Sequence, residues 1–253
     1  MKRVNILGTL RRKRKRRKRA RPQVDPSKLI LSLPAQDATV ESYRALRTNL
    51  QFLSSERPLK TVLITSASPS VGKSVTAANL AIAVAQTGKR TLLVDSDLRR
   101  PVQHELFSLS NGYSLQDGGL THFLVGLHPS PAYKQPLEDI EELSVFASGP
   151  IPPNPSELLS SHRAREYFAG LSEQFDFVVI DTPPVLVAAD ATAVAPMVDG
   201  VLLVVSSMCR HPAVRKVQET LTRVNARVIG AVYNGVPRQP TASYYNYHSG
   251  HSC

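Results

Sequence analysis

Short, continuously apolar runs alternate with longer helical patterns along most of this chain, and this alternation constrains the fold more than any other feature. Runs of this kind are typical of buried strands, and they occur at 60–67, 90–97, 143–148, 176–181, 200–206 and 227–234. Helical patterns occupy 37–54, 72–88, 155–175 and 211–225. Strands that are apolar on both faces occur in parallel sheets covered on both sides. The sequence therefore predicts an α/β domain with a mostly parallel sheet and helices on both faces.

Positive charge is concentrated at the N-terminus and not in the body of the chain. Twelve of the 31 lysine and arginine residues precede Pro22, and no acidic residue precedes Asp25. Runs of like charge are normally disordered. We therefore predict a basic disordered arm and linker over 1–36, a folded domain over 37–236 and a flexible, tyrosine-bearing tail over 237–253.

The charge of the arm suits an anionic surface. Its partner can be an anionic membrane surface, an acidic protein segment or nucleic acid, and a solvated tail without a fixed partner is the alternative. The body shows no basic excess, which disfavours nucleic acid. No run of about 18 apolar residues occurs, so no transmembrane helix is expected. The two cysteines, Cys209 and Cys253, make no disulfide framework, which fits a reducing cytoplasm.

The stretch TVLITSASPSVGKSV combines a strand, a tight loop and the start of a helix. Its end matches the phosphate-binding pattern G-x-x-x-x-G-K-[ST], although Ala67 replaces the first glycine. In this pattern the loop amides and the helix N-terminus hold the phosphates of a nucleotide, the lysine contacts the β- and γ-phosphates, and the hydroxyl binds Mg²⁺. We therefore predict that ATP and Mg²⁺ are bound by the loop and its flanks, namely Ser68, Pro69, Ser70, Val71, Gly72, Lys73, Ser74 and Val75.

Three aspartates come at the ends of predicted strands. Asp95 and Asp97 close the run LLVDSD, and Asp181 closes the run FVVID. The carboxyl ends of parallel strands meet at the ligand-binding edge of such a sheet. Each aspartate alone has the alternative role of a helix cap. Together with the loop they predict a nucleotide site in which Asp181 holds Mg²⁺ directly or through water.

These motifs together resemble the bacterial tyrosine kinases (BY-kinases), a P-loop family linked to capsule and exopolysaccharide synthesis. The resemblance extends from about Glu41 to Tyr247. TSASPSVGKS resembles the family's Walker A motif, LLVDSDLRRP its Walker A′ motif and VVIDTPP its Walker B motif. GPIPPNPSELLSS resembles a further family signature, ESYRALR matches its E-x-x-R-x-x-R motif, and YYNY resembles its C-terminal tyrosine cluster. The resemblance implies a MinD-like P-loop kinase domain over 37–236.

The resemblance also implies an activity and a setting. The activity is that of an ATP-dependent protein-tyrosine autokinase, in which the tail of one subunit is phosphorylated in the active site of its neighbour at Tyr244, Tyr245 and Tyr247. The chain resembles family members that lack a fused membrane domain. Those rely on a separate membrane activator of the polysaccharide co-polymerase type. We therefore expect a cytoplasmic protein that is peripheral at the inner face of the cell membrane.

The resemblance assigns roles to four residues of the site. Asp95, the first aspartate of Walker A′, would take the proton of the tyrosine hydroxyl, whose ordinary pKa near 10 keeps it protonated at neutral pH. Asp97 and Asp181 would order Mg²⁺ and its waters. Lys73 would neutralise charge on the transferring phosphoryl group, so Lys73, Asp95 and Asp97 are the predicted catalytic residues.

Four further residues have a family role and a simpler alternative. Glu41, Arg44 and Arg47 recur every three residues and so lie along one face of the first predicted helix. The resemblance implies that they join subunits of a homo-oligomeric ring, and intramolecular ion pairing is the alternative. Asn234 resembles the residue that hydrogen-bonds adenine in related P-loop ATPases, and a plain turn residue is the alternative.

The sequence departs from the family pattern at three places. Ser70 stands in a stretch that is usually glycine-rich, and its Cβ costs about 1 kcal/mol if the backbone there needs a positive φ. Val75 replaces a threonine that often follows the GKS triplet, and Asn246 interrupts the tyrosine cluster. A non-catalytic, nucleotide-binding scaffold of the polysaccharide machinery is therefore an alternative function.

Two other functions remain as alternatives. One is a MinD/ParA-type partitioning ATPase, but that group carries an extra lysine five positions before the P-loop lysine, where this chain has Ser68. The other is metal binding by His248, His251 and Cys253, and this is the weaker alternative because its three ligands lie on a loose tail.

Overall fold

The computed structural model describes residues 25–109, 118–133, 140–207 and 209–236 of the 253-residue chain. In this part of the chain, six parallel strands form one central sheet, in the order β3-β2-β4-β1-β5-β6. The strands are β1 (Thr61–Ser66), β2 (Thr91–Asp95), β3 (Leu143–Phe146), β4 (Phe177–Asp181), β5 (Gly200–Ser206) and β6 (Val228–Asn234). The prediction of a parallel α/β sheet is confirmed.

Helices connect these strands and cover both faces of the sheet. They are α1 (Ala38–Glu56), α2 (Lys73–Ala85), α3 (Gln103–Leu106), α4 (Leu120–Leu124), α5 (Pro155–Leu159), α6 (His162–Gln174), α7 (Asp190–Val194) and α8 (His211–Arg223). Asp37 caps α1, because its side chain accepts a hydrogen bond from the amide of Thr39. In the described segments, no helix combines the length and the hydropathy that a membrane span requires.

The strands are apolar on both faces because a hydrophobic core lies on each side of the sheet. Val62 and Ile64 of β1 belong to the core that also contains residues of α1, α2 and α3. Leu63 belongs to the opposite core, built with α4, α5, α6, α7 and α8. Every residue of α2 from Thr76 to Ala85 is buried. The helix that follows the phosphate-binding loop is therefore fixed against the sheet along most of its length.

The structure differs from the predicted elements in the middle of the chain. The predicted helix over 155–175 is interrupted, and α5 and α6 replace it. Ser161 has extended backbone angles, and its side chain accepts a hydrogen bond from the amide of Ala164, so it caps a new helix. The stretch 113–136, which shows no clear pattern in the sequence, contains the short helix α4.

Part of the predicted N-terminal linker is docked on the domain. The side chain of Asn79 in α2 accepts a hydrogen bond from the amide of Ile30 (2.9 Å) and donates one to the carbonyl of Lys28 (3.1 Å). Leu29 and Ile30 are buried. Two short 3₁₀ helices form in this stretch, Pro26–Lys28 and Ile30–Ser32. We call residues 25–33 the N-terminal strap. Because the strap buries apolar side chains, the folded region begins earlier than the predicted boundary at 37.

Several predictions fall outside the described residues and stay predictions. The basic arm before residue 25 is one of them. The tail from residue 237 is another, and with it the tyrosines Tyr244, Tyr245 and Tyr247. The alternative metal site at His248, His251 and Cys253 lies in the same tail.

Candidate active site

Neighbouring strands bring two of the predicted carboxylates together. β4 lies between β1 and β2 in the sheet. Asp95 and Asp181 are the last residues of β2 and β4, and they are paired in register across the two strands. The loop 67–72 leaves β1 at the same edge and leads into α2. We call this loop with the first turn of α2 the P-loop.

The P-loop turns through two residues with left-handed backbone. Ser70 has a φ of 63° and Gly72 a φ of 88°. Ser70 thus occupies the conformation in which a Cβ costs about 1 kcal/mol. A Cβ added at Gly72 would overlap the side-chain amide of Asn234, so both the backbone and the packing require glycine there. Left-handed residues within such a turn point successive amides to one side, which suits an anion.

The other loop residues either hold the turn against the protein or lie exposed at its tip. The carbonyl of Ser68 accepts a hydrogen bond from the hydroxyl of Ser66 (2.8 Å). Pro69 is exposed at the tip, whereas Val71 is buried. Val75 is partly buried and packs on the core beneath α2. The loop is therefore held at its base and open at its tip.

Lys73 lies at the centre of the charged groups. Its Nζ is 3.0 Å from Oδ2 of Asp97, 3.7 Å from Oδ1 of Asp181 and 3.3 Å from Oγ of Ser74. Burial lowers the pKa of Lys73, but the attraction of Asp181, Asp97 and Asp95 outweighs it, so the pKa lies above its ordinary value. Lys73 is therefore positively charged and joins the P-loop to groups from two other strand ends.

The two aspartates of the Walker A′ motif have different environments. Asp95 is fully buried, and its Oδ2 accepts hydrogen bonds from the amides of Val102 and Gln103, each at 3.0 Å. Its Oδ1 accepts one from the amide of Asp97 at 3.3 Å. Burial, and next the repulsion of Asp181, raise the pKa of Asp95 well above its ordinary value. Asp97 pairs with Lys73 through Oδ2, and its Oδ1 accepts a hydrogen bond from the amide of Arg100 at 3.0 Å. Lys73 therefore contacts only one of these two carboxylates directly.

Asp181 has one oxygen engaged and one without a hydrogen bond. Its Oδ2 accepts a hydrogen bond from Nε2 of Gln103 at 2.9 Å. Its Oδ1 is buried and has no hydrogen-bond partner among the described residues. Burial raises the pKa of Asp181, and the attraction of Lys73 offsets this only in part. Gln103 was not identified from the sequence, and its only signal there is its position two residues after the LLVDSDLRRP motif.

Sequence reasoning also missed a clamp behind the Walker A′ motif. Arg99 donates two hydrogen bonds to the buried carboxylate of Asp190, at 2.9 and 3.0 Å. Ser156 donates to the same carboxylate and accepts from Arg99 at 3.1 Å. Ser156 lies in the GPIPPNPSELLSS signature and Asp190 begins α7. This clamp ties the loop after β2 to α5 and α7, which lie on the face of the sheet opposite to α2.

Asn234 lies beside the P-loop at the end of β6. Its Nδ2 donates a hydrogen bond to the carbonyl of Val71 at 2.9 Å. The side chain thus supports the turn of the P-loop from the end of β6, which is separated from β1 by β5. Contact with adenine stays a prediction.

The predicted ring residues make contacts within the chain. Arg44 lies 3.3 Å from Glu41 and also donates to the carbonyl of Ala35 at 3.2 Å. Arg47 donates to the carbonyl of Ala83 at the end of α2 (2.9 Å). The Glu41–Arg44 ion pair is the intramolecular alternative, and both of its side chains remain well exposed. A role between subunits stays a prediction for the three residues.

The groups present fit a nucleotide with a divalent cation. Within the described ranges, no cluster of three His, Cys, Asp or Glu could hold a metal ion by itself. Mg²⁺ in nucleotide sites typically uses one or two carboxylates and takes its other ligands from phosphate and water. Oδ1 of Asp181, which has no hydrogen bond in the described part of the chain, the Ser74 hydroxyl and Asp97 are oxygen ligands of that kind around Lys73.

Comparison with known proteins places the site in a family. Residues 62–246 match the family described as the CobQ/CobB/MinD/ParA nucleotide binding domain. The chain is 36% identical to the putative tyrosine-protein kinase CapB of Staphylococcus aureus over 211 residues, which cover 82% of this chain and 89% of CapB. It is 41% identical to the tyrosine-protein kinase YwqD of Bacillus subtilis over 210 residues, covering 82% of this chain and 85% of YwqD.

This chain belongs to the bacterial tyrosine kinase family. The solved structure of the chimerical protein CapA2B2 agrees, with 37% identity and a TM-score of 0.76 over 84% of this chain and 91% of the chimera. As a BY-kinase, the chain carries its Walker A, A′ and B motifs at one sheet edge. The MinD of Aquifex aeolicus, solved as a MinC:MinD complex, is 20% identical with a TM-score of 0.56, and this likeness shows the fold alone.

Proposed function

We propose that this BY-kinase is an ATP- and Mg²⁺-dependent protein-tyrosine autokinase that regulates capsule or exopolysaccharide synthesis or export. Family membership supports the activity, since its relative YwqD is named as a tyrosine-protein kinase and CapB as a putative one. One observation of the site carries the proposal further. Lys73 contacts Asp97 and lies near Asp181, so groups from the three Walker motifs converge on one ammonium.

Each residue of the site has a proposed task. The loop amides, the N-terminus of α2 and Lys73 hold and neutralise the phosphates. Ser74, Asp97 and Asp181 hold Mg²⁺, which supplies further positive charge next to the phosphates when bound. Asp95 accepts the proton of the attacking tyrosine, and its raised pKa makes it a stronger base than an exposed aspartate.

The proposed substrate is the tail of a neighbouring subunit. Tyr244, Tyr245 and Tyr247 are the proposed phosphate acceptors, and Glu41, Arg44 and Arg47 are the proposed contacts of a homo-oligomeric ring. The exposure of the Glu41–Arg44 pair on α1 leaves it accessible to a second subunit. An assembly of this kind would deliver one subunit's tail to the next subunit's site.

The proposed partners are a membrane activator and the membrane surface. A separate membrane protein of the polysaccharide co-polymerase type would activate the kinase at the inner face of the membrane. The basic arm would add attraction of up to about 1 kcal/mol per cation near an anionic leaflet. Cosedimentation with anionic vesicles should weaken when residues 1–21 are deleted. Equal cosedimentation of the two proteins would remove the arm from the proposal.

Phosphotyrosine mapping by mass spectrometry tests the kinase activity. The full chain is incubated with ATP and Mg²⁺, with and without cytoplasmic peptides of candidate activators, beside Lys73→Met and the matched surface variant Lys216→Met in α8. We expect phosphate on Tyr244, Tyr245 or Tyr247 in the wild type and in Lys216→Met, and none in Lys73→Met. Nucleotide binding without any phosphotyrosine under these conditions would favour the non-catalytic scaffold.

A further inference from the structure

Gln103 is a fully buried glutamine at the start of α3, directly behind the charged groups of the site. Glutamine is mostly exposed in folded proteins, because its amide loses hydrogen bonds to water on burial. A glutamine in such a position needs protein partners for its two amide hydrogens. The identity of those partners indicates what the residue does.

Both amide hydrogens of Gln103 go to the nucleotide site. Nε2 donates to Oδ2 of Asp181 at 2.9 Å and to the carbonyl of Ser74 at 3.1 Å. The backbone amide of Gln103 donates to Oδ2 of Asp95 at 3.0 Å. One residue therefore contacts the first turn of α2 and the carboxylates that end β2 and β4.

The hydrogen bond from Gln103 fixes how the Asp181 carboxylate is turned. With Oδ2 engaged by Gln103, Oδ1 is the oxygen on the side of Lys73, whose Nζ lies 3.7 Å away. That separation is longer than the 3.0 Å between Lys73 and Asp97. Without this donor, Asp181 would keep its hydrogen bond from the side chain of Ser74 but would be less restrained, and the buried ammonium of Lys73 would draw its carboxylate closer. Lys73 and Asp181 would then neutralise each other instead of facing a ligand.

We propose that Gln103 is a positioning residue that holds the Walker B aspartate ready for the divalent cation of the bound nucleotide. The inference rests on the proposed nucleotide-dependent function. The amide is required because it offers two donors to two acceptor oxygens. Glutamate at this position would place another carboxylate beside Asp181, and methionine would fill the space without donating. Outer groups that orient metal-binding side chains typically change metal affinity or activity by about 10- to 100-fold when they are removed.

The test measures how strongly Mg²⁺ promotes nucleotide binding, so it needs no catalysis. Binding of a fluorescent ADP analogue to the full chain is titrated in EDTA and then over a range of Mg²⁺ concentrations. Gln103→Met and Gln103→Glu are compared with the wild type and with Gln218→Met, a matched variant on the exposed surface of α8. We expect both Gln103 variants to need at least about 10-fold more Mg²⁺ than the wild type to promote binding of the ADP analogue. Their affinity for the analogue in EDTA should differ from that of the wild type by less than about twofold.

A double-mutant cycle distinguishes positioning from packing. If Gln103 acts through Asp181, Gln103→Met should have little further effect on the Mg²⁺ requirement in an Asp181→Asn background. An unchanged Mg²⁺ requirement in folded Gln103→Met or Gln103→Glu would overturn the proposal. A wild-type protein whose ADP binding does not respond to Mg²⁺ would instead contradict the proposed function itself, so the two failures are distinguishable.

Discussion

Replacing Ser70 with glycine should stabilise the protein and leave its affinity for nucleotide nearly unchanged. Ser70 has a φ of 63°, a conformation that costs an L-residue about 1 kcal/mol or more. Glycine removes this cost but adds about 0.5 kcal/mol of conformational freedom to the unfolded chain. The net gain is about 0.5 kcal/mol, which corresponds to a rise in Tm of about 1–2 °C for a domain of this size. This strain is present in the folded protein with and without nucleotide, so the affinity for ADP should change by less than about twofold.

Thermal unfolding and fluorescence titration with an ADP analogue measure the two effects. Ser108→Gly is the matched control, because Ser108 is an exposed serine with a φ of 53° outside the P-loop. It should raise Tm by a similar amount and leave ADP affinity unchanged. Ser70→Ala keeps the Cβ and should change neither quantity. A Tm that falls in Ser70→Gly, or an equal rise in Ser70→Ala, would refute the assignment of strain to the Cβ.

Two further predictions concern the packing around the site. Arg99→Ala should lower the free energy of unfolding by about 1–3 kcal/mol, because Asp190 would stay buried without its cation. Urea titrations measure this loss, and a loss below about 0.5 kcal/mol would contradict the clamp. Burial raises the pKa of Tyr167 well above its ordinary value. The neutral phenol therefore stabilises the folded state fully at pH values below about 10, and this contribution is lost as the pH rises through the folded-state pKa. Tyr167→Phe should therefore show a smaller loss of stability above pH of about 10 than the wild type, and parallel pH profiles would contradict this.

The sequence predicts the fold well because its signals are local. A buried parallel strand can be predicted from four to eight consecutive residues, and the glycine, lysine and serine of the P-loop are adjacent in the sequence. The carboxyl-end rule then brings Asp95 and Asp181 to one edge, whatever the order of the strands. The strand order itself, which pairs β2 with β4, has no local signal.

The contacts that the sequence did not reveal join distant segments. Gln103 meets Asp181 across 78 positions, and Arg99 meets Asp190 across 91. Neither pair is spaced by a helical or strand period. Each contact depends on how closely a short helix, α3 for Gln103 and α7 for Asp190, packs against the sheet. The break at Ser161 was missed for a different reason, because a serine is compatible with a helix interior as well as with a cap.

The N-terminal strap determines where a shortened form of this protein should begin. Asn79, which holds the strap, lies six positions after Lys73 on α2, or about 9 Å along one rigid helix. A chain that starts at the predicted boundary of 37 would lack Leu29 and Ile30, and would leave the buried amide and carbonyl of Asn79 without these partners. The loss would fall on the helix that carries the phosphate-binding lysine. A shortened kinase domain should therefore start at or before Asp25, and differences in nucleotide affinity between truncations at 25 and 37 would report on α2 and not on the arm.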